Sequence, residues 1–124
     1  EDATAHSPDR PYDMVCAHYF LNLYGSAQAA VVLQGLAAQV KSGGLLSLAD
    51  FAPAGAGWVE GLLTSAYYRP VNVLAWALGF CALHPIPDSP AMLEAVGFEI
   101  CSIERMPLRP TGRIGYWSVM GRRP

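Results

Sequence analysis

The chain has 124 residues, 52% of them apolar and 15% charged, with a formal net charge of −2. That length supports one folding unit with its own core and excludes two, while a charged fraction well under the roughly 25% usual for soluble domains leaves more apolar surface than so short a chain can cover. Eight basic against ten acidic residues, with Arg122-Arg123 the only adjacent basic pair, argue against a nucleic-acid partner.

The first eleven residues are polar, with Ser7, Pro8, Asp9 and Pro11 forming a turn region and no apolar stretch of the kind a signal peptide needs. From Tyr12 to His18 the sequence YDMVCAH contains an unbroken apolar run, which predicts a strand covered on both faces, as in a parallel sheet. Ser26 is placed to cap a helix reaching about Lys41, with Leu33, Leu36, Ala37 and Val40 on one stripe and Lys41 in the last turn, where a cation complements the dipole. Gly43-Gly44 ends that helix, and LLSLA over 45–49 predicts a second buried strand closing at Asp50. Strand, helix and strand make a βαβ unit.

Residues 53–57 read as loop, and 58–83 as one or two irregular helices broken at Pro70. The apolar stretch over 71–83 is too short for a bilayer span of about 20 residues, but suits an interface or the lining of an apolar pocket. His84-Pro85-Ile86-Pro87-Asp88 is extended, because each residue before a proline is pushed out of the α region. Ser89 then caps a short helix with Pro90 at its first position and Gly97 past its end. Residues 98–105 and 114–120 have strand composition and are joined through Pro107, Pro110 and Gly112, which predicts an antiparallel pair. Cys16, Cys81 and Cys101 are odd in number, form no CxxC and lie in apolar runs, as expected of buried, reduced thiols in a cytoplasmic protein. His6, His18 and His84 lack ligand spacing with one another or with the cysteines, so no metal site is expected.

Element order and spacing together resemble the second half of class I S-adenosylmethionine (SAM) dependent methyltransferases. The resemblance runs from Asp2-Ala3, similar to the acid and small residue closing the family's third strand, through PYDMVCAHYFLN for its fourth and LAAQVKSGGLLSLADF for the next helix and fifth strand. It continues through MLEAVGFEI and GYWSVMGRR for the sixth and seventh strands. What it implies is an α/β fold, a partial Rossmann-like sheet ordered 4-5-7-6 in family numbering with strand 7 antiparallel and helices on the faces. Residues 1–124 would form a partial domain from the end of strand 3 to strand 7, with 53–88 as a substrate-pocket insertion. No GxGxxG turn and no acid ending a second strand occurs in the sequence, so the cofactor-cradling strands are expected to be missing from this chain.

By the same resemblance SAM is the cofactor, with Asp2 and Ala3 at the adenine and Ala17, His18 and Phe20 beside it at the carboxyl edge, where open α/β sheets bind ligands. His18, Asp50 and His84 are the candidate bases for a hydroxyl acceptor. Each also reads in a plainer way, His18 as a satisfied imidazole at a strand end and Asp50 as a cap. Phe51, Tyr67, Tyr68, Asn72 and Trp76 would line the acceptor pocket, which being largely aromatic and apolar implies a hydrophobic small molecule, although Trp58, Trp76 and Phe80 also read as ordinary core. Methyl transfer from a sulfonium is an in-line displacement that depends on alignment and a dry pocket, so no catalytic triad is required. The rival reading is a non-catalytic, methyltransferase-like interaction module. Without the family's neighbouring strand, the outer edge of the first strand is expected to make the isolated chain self-associate, through that edge or a swapped element, or be poorly soluble.

Overall fold

The structure, a computed structural model, describes residues 6, 8–53, 58–81, 85–107 and 115–124. In chain order it contains β1 (Tyr12–His18), a 3-10 turn (Leu21–Leu23), α1 (Ser26–Ala38), β2 (Val40–Phe51), α2 (Trp58–Ala77), α3 (Ser89–Ala95), β3 (Glu99–Pro107) and β4 (Gly115–Arg122). One four-stranded sheet has the order β1-β2-β4-β3. β1 and β2 run parallel, and β4 lies antiparallel between β2 and β3, the arrangement the sequence predicts.

The register explains which residues become core. Ala17 lies beside Leu48 and Val15 beside Leu46 in the parallel pair, while Leu46 and Leu48 oppose Gly121 and Val119 across the antiparallel one. Side chains alternate along a strand, so these share one face. That face packs on Leu33 and Leu36 of α1 and on Leu93 of α3. Gly121 permits the close approach, since a Cβ there would lie 3.0 Å from Cβ of Phe98. In α1 the buried positions Ala29, Val32, Leu33, Leu36 and Ala37 make one apolar stripe.

Several local expectations are corrected. β2 is buried from Leu46 to Asp50, but β1 is covered on one face only, with Met14, Cys16 and His18 exposed on the other. α1 ends at Ala38, and Val40 and Lys41 already belong to β2. Lys41 pairs with Asp13 at 2.5 Å, and the cation at the helix end is Arg123, whose Nη1 donates to the carbonyls of Ala37 and Ala38 at 3.1 and 3.4 Å and also to that of Val40. Gly25 rather than Ser26 precedes the first helical turn. Asp88 rather than Ser89 caps α3, its Oδ1 accepting from the Ala91 amide at 3.3 Å. α2 continues through Pro70. Cys16 and Cys101 are exposed and Cys81 is half-buried, all three as free thiols.

Candidate functional site

Both parallel strands end at the same sheet edge. His18 pairs with Ala49, which puts Asp50 one residue further along. Pleating then separates them, because a one-residue offset moves a side chain to the opposite face. The His18 imidazole is exposed, and its Nε2 lies 3.1 Å from Oγ of Ser47. Asp50 is buried, shares a register position with buried Trp117, and accepts the Phe51 amide on Oδ1 at 2.8 Å. The two candidate bases therefore share an edge without forming a dyad.

Tyr19, directly after His18, has a φ of +52 and donates its amide to the Ala49 carbonyl at 2.8 Å. A left-handed tyrosine costs roughly 1–2 kcal/mol, and here it turns the chain abruptly out of β1. Phe20 then meets Tyr24 edge to face at 5.5 Å, while the Tyr19 ring meets Tyr116 at the same separation. Ala17 contributes its methyl to the core, so only its backbone faces the edge.

An aromatic cluster occupies the end of β2. Phe51 lies 4.9 Å from Tyr116, 5.1 Å from Tyr68 and 6.4 Å from Tyr67, measured between ring centroids. Desolvation, followed by the nearby Asp50 charge, pushes the Tyr68 phenol up to about 12, although a hydrogen bond from Asn72 Nδ2 at 3.2 Å works against the rise. Tyr116 is likewise pushed up to about 12, first by desolvation and then by its hydrogen bond and charge interaction with Tyr67. Both phenols are neutral donors at physiological pH. Tyr68, Asn72 and Thr64 of α2 wall a cavity of about 670 Å³ that is closed on other sides by Pro53 and by Pro85-Ile86.

Of the acceptor residues expected from the sequence, Phe51, Tyr67 and Tyr68 come together and Asn72 joins them through Tyr68. Of this set only Tyr68 and Asn72 line the cavity; Phe51 and Tyr67 lie beside it and Trp76 is half exposed, while Trp58 and Phe80, at 82% and 71% exposure, are not core. Asp2, Ala3 and His84 lie outside the described residues. Tyr19 and Tyr116 join the site without a sequence signal. Among the described residues no group of three or more His, Cys, Asp or Glu is placed to hold a metal ion, and no helix is long and apolar enough to cross a membrane.

No protein-family model and no curated protein matches the chain. Solved structures do match its fold. An O-methyltransferase family protein from Burkholderia thailandensis is 20% identical with a TM-score of 0.63, over 93% of this chain and 31% of that one. An O-methyltransferase family 2 protein from Planctomyces limnophilus, solved with apigenin, is 12% identical with a TM-score of 0.67, over 100% of this chain and 34% of its own. Magnesium protoporphyrin IX methyltransferase from Synechocystis, solved with S-adenosylhomocysteine (SAH), is 19% identical with a TM-score of 0.60, over 100% of this chain and 49% of that one. The chain thus has part of the class I methyltransferase fold and spans 31–49% of the length of these structures.

Proposed function

We propose that this chain forms part of a SAM-dependent methyltransferase acting on a hydrophobic small molecule, with residues 53–88 building the acceptor pocket. The observation that carries the reading is the cavity of about 670 Å³ between Pro53, just past β2, and α2, bounded by Val73, Pro53, Pro85 and Ile86 and by a few polar groups that include the Tyr68 phenol, held neutral. Pockets of several hundred Å³ with mostly apolar walls and a few placed polar groups suit drug-sized organic ligands.

The residues at the end of β1 fit the cofactor. The exposed imidazole of His18, the ring of Phe20 and the backbone at Ala17 stand at an open edge beside Tyr19 and Tyr24, and aromatic faces suit both a flat adenine and a sulfonium cation. Asp2 and Ala3 would complete the adenine side. SAM bound there supplies the methyl group. The chain's own residues do the rest: Tyr68 on the cavity wall orients the acceptor and donates a hydrogen bond to it, and Phe51, packed against Tyr67 and Tyr68, holds that ring in place. With Nε2 of His18 held by Ser47, the other ring nitrogen, Nδ1, takes the proton from an acceptor hydroxyl. Asp50 holds the Phe51 amide in place rather than acting as a base. Three free thiols accord with a reducing, cytoplasmic home.

The test is transfer of label from methyl-tritiated SAM to a panel of hydroxylated aromatic compounds, with the protein from its natural source. Label in an acceptor, reduced about 10-fold or more by His18→Gln and by Phe51→Ala, is the expected result. A natively folded protein that neither binds SAM in calorimetry nor transfers label overturns the proposal. A second reading, a non-catalytic module that pairs through β1, is favoured by one observation: among the described residues β1 has a strand neighbour on one side only. Failure of SAM binding combined with a stable dimer selects it.

A further inference from the structure

The cavity beside α2 carries a charge that an apolar acceptor does not explain. Arg69 lines it, on the same helical face as Ser65, Asn72 and Val73. Among the described residues its guanidinium makes no hydrogen bond or ion pair, and no carboxylate is part of the wall. Thr64 also lines the cavity; it is 6% exposed, and its hydroxyl has no hydrogen-bond partner among the described residues. That hydroxyl is not itself sealed off, so it is open to donate to a ligand in the cavity. The lining residues from outside α2, Pro53, Pro85 and Ile86, offer apolar contact and no side-chain donor.

An uncompensated guanidinium and free hydroxyls from α2, with apolar contact from the residues outside it, complement a molecule with an anion at one end of a flat hydrocarbon body. The planar fork of arginine matches a carboxylate in two parallel hydrogen bonds, which a neutral amide cannot replace. We propose that the cavity selects acceptors bearing a carboxylate, with Arg69 as the specificity-determining residue and the Thr64 hydroxyl as a second donor to the same group. The proposal rests on the methyltransferase reading only in treating the cavity as the acceptor site, and it concerns recognition rather than the chemical step.

The experiment compares binding of 6-hydroxy-2-naphthoate and 6-hydroxy-2-naphthamide, two probes of one shape that differ in charge, by calorimetry without SAM. The carboxylate is expected to bind at least about 10-fold more tightly than the amide. Arg69→Gln should bring the two within about 2-fold by weakening the carboxylate alone, and Arg69→Lys should keep part of the preference. Added salt should erode the carboxylate's advantage and leave the amide unaffected. Equal affinities in the unmodified protein, a preference that survives Arg69→Gln, or no binding of either probe at millimolar concentration overturns the proposal. Arg69 is exposed at the cavity rim, and far-ultraviolet circular dichroism verifies that its variants are folded. Because no cofactor is present, failure here is separable from failure of methyl transfer, which label from SAM reads independently.

Discussion

Single side chains set the chemistry of this site, and two phenols, buried Tyr68 and half-buried Tyr116, are its most accessible reporters. Tyr68 and Tyr116 are raised from about 10 to about 12 in the folded protein. The unfolded chain therefore loses these protons first as pH rises through 10, and the stability they confer is complete below pH 10 and is lost on the way to pH 12. In a titration followed at 295 nm, two of the six tyrosines should ionise late. Tyr68→Phe and Tyr116→Phe should each remove late amplitude, whereas a single transition near pH 10 unchanged by either substitution contradicts the burial described. His18, Asp50 and Phe51 could be singled out from the sequence because the carboxyl ends of strands mark ligand edges in α/β folds, and Tyr68 because the resemblance places an acceptor pocket in its segment. That His18 and Asp50 face opposite ways could not, since it follows from the His18–Ala49 register, which is a tertiary quantity. Tyr116 enters by facing Phe51 across the antiparallel pair, far away in sequence. Arg69 is missed because a single arginine in a helix reads as a solvated charge until a cavity forms against it.

The elements themselves follow closely from apolar period, and their ends do not. The buried stripe of α1 and the run into β2 are visible because burial fixes them. The sequence places Lys41 in the last turn of the helix as the cation there, yet Arg123, contributed by the chain just beyond β4, supplies it by donating to three carbonyls. No local pattern encodes a cap arriving from 80 residues away. Arg123→Ala should cost about 1–2 kcal/mol in urea unfolding, from lost charge-assisted hydrogen bonds and the loss of a cation at the helix end; a change under about 0.3 kcal/mol would show that the contact is surface ornament. Gly44 is a second such point. A Cβ there would lie 2.7 Å from Cγ1 of Val40 and 2.9 Å from the Asp13 carbonyl oxygen, and backbone cannot yield as a side chain can. Gly44→Ala is expected to cost about 1–3 kcal/mol, and an unchanged unfolding midpoint would contradict the close approach of β1 to the start of β2. Pro70 shows the converse, a strong local breaker inside a continuous 20-residue helix.

At the scale of the whole molecule, the excess of apolar residues noted in the composition reappears as exposed apolar surface. Tyr12 and Met14 of β1 are 40% and 44% exposed, and Leu62, Leu74 and Phe80 in and after α2 are largely open. A strand that among the described residues has one neighbour and whose open face carries Tyr12, Met14 and Cys16, its one carboxylate, Asp13, being paired with Lys41, is a template for a further strand. The 124-residue polypeptide should therefore associate, β1 pairing with β1 of a second copy across a two-fold axis. Light scattering at about 100 µM should report a dimer or larger species, and Val15→Lys together with Ala17→Lys is too disruptive a test because both face the core; Met14→Lys, on the open face, is the informative variant and should shift the balance toward monomer. A monodisperse monomer with slowly exchanging β1 amides contradicts the open edge. The central claim, that the end of β1 is where a methyl donor sits, is tested most directly by irradiating the protein with methyl-tritiated SAM, digesting it and mapping the label. The account predicts label on the peptide containing Ala17, His18, Tyr19 and Phe20, suppressed by excess SAH; label confined to other peptides, or none above the SAH-competed background, contradicts it.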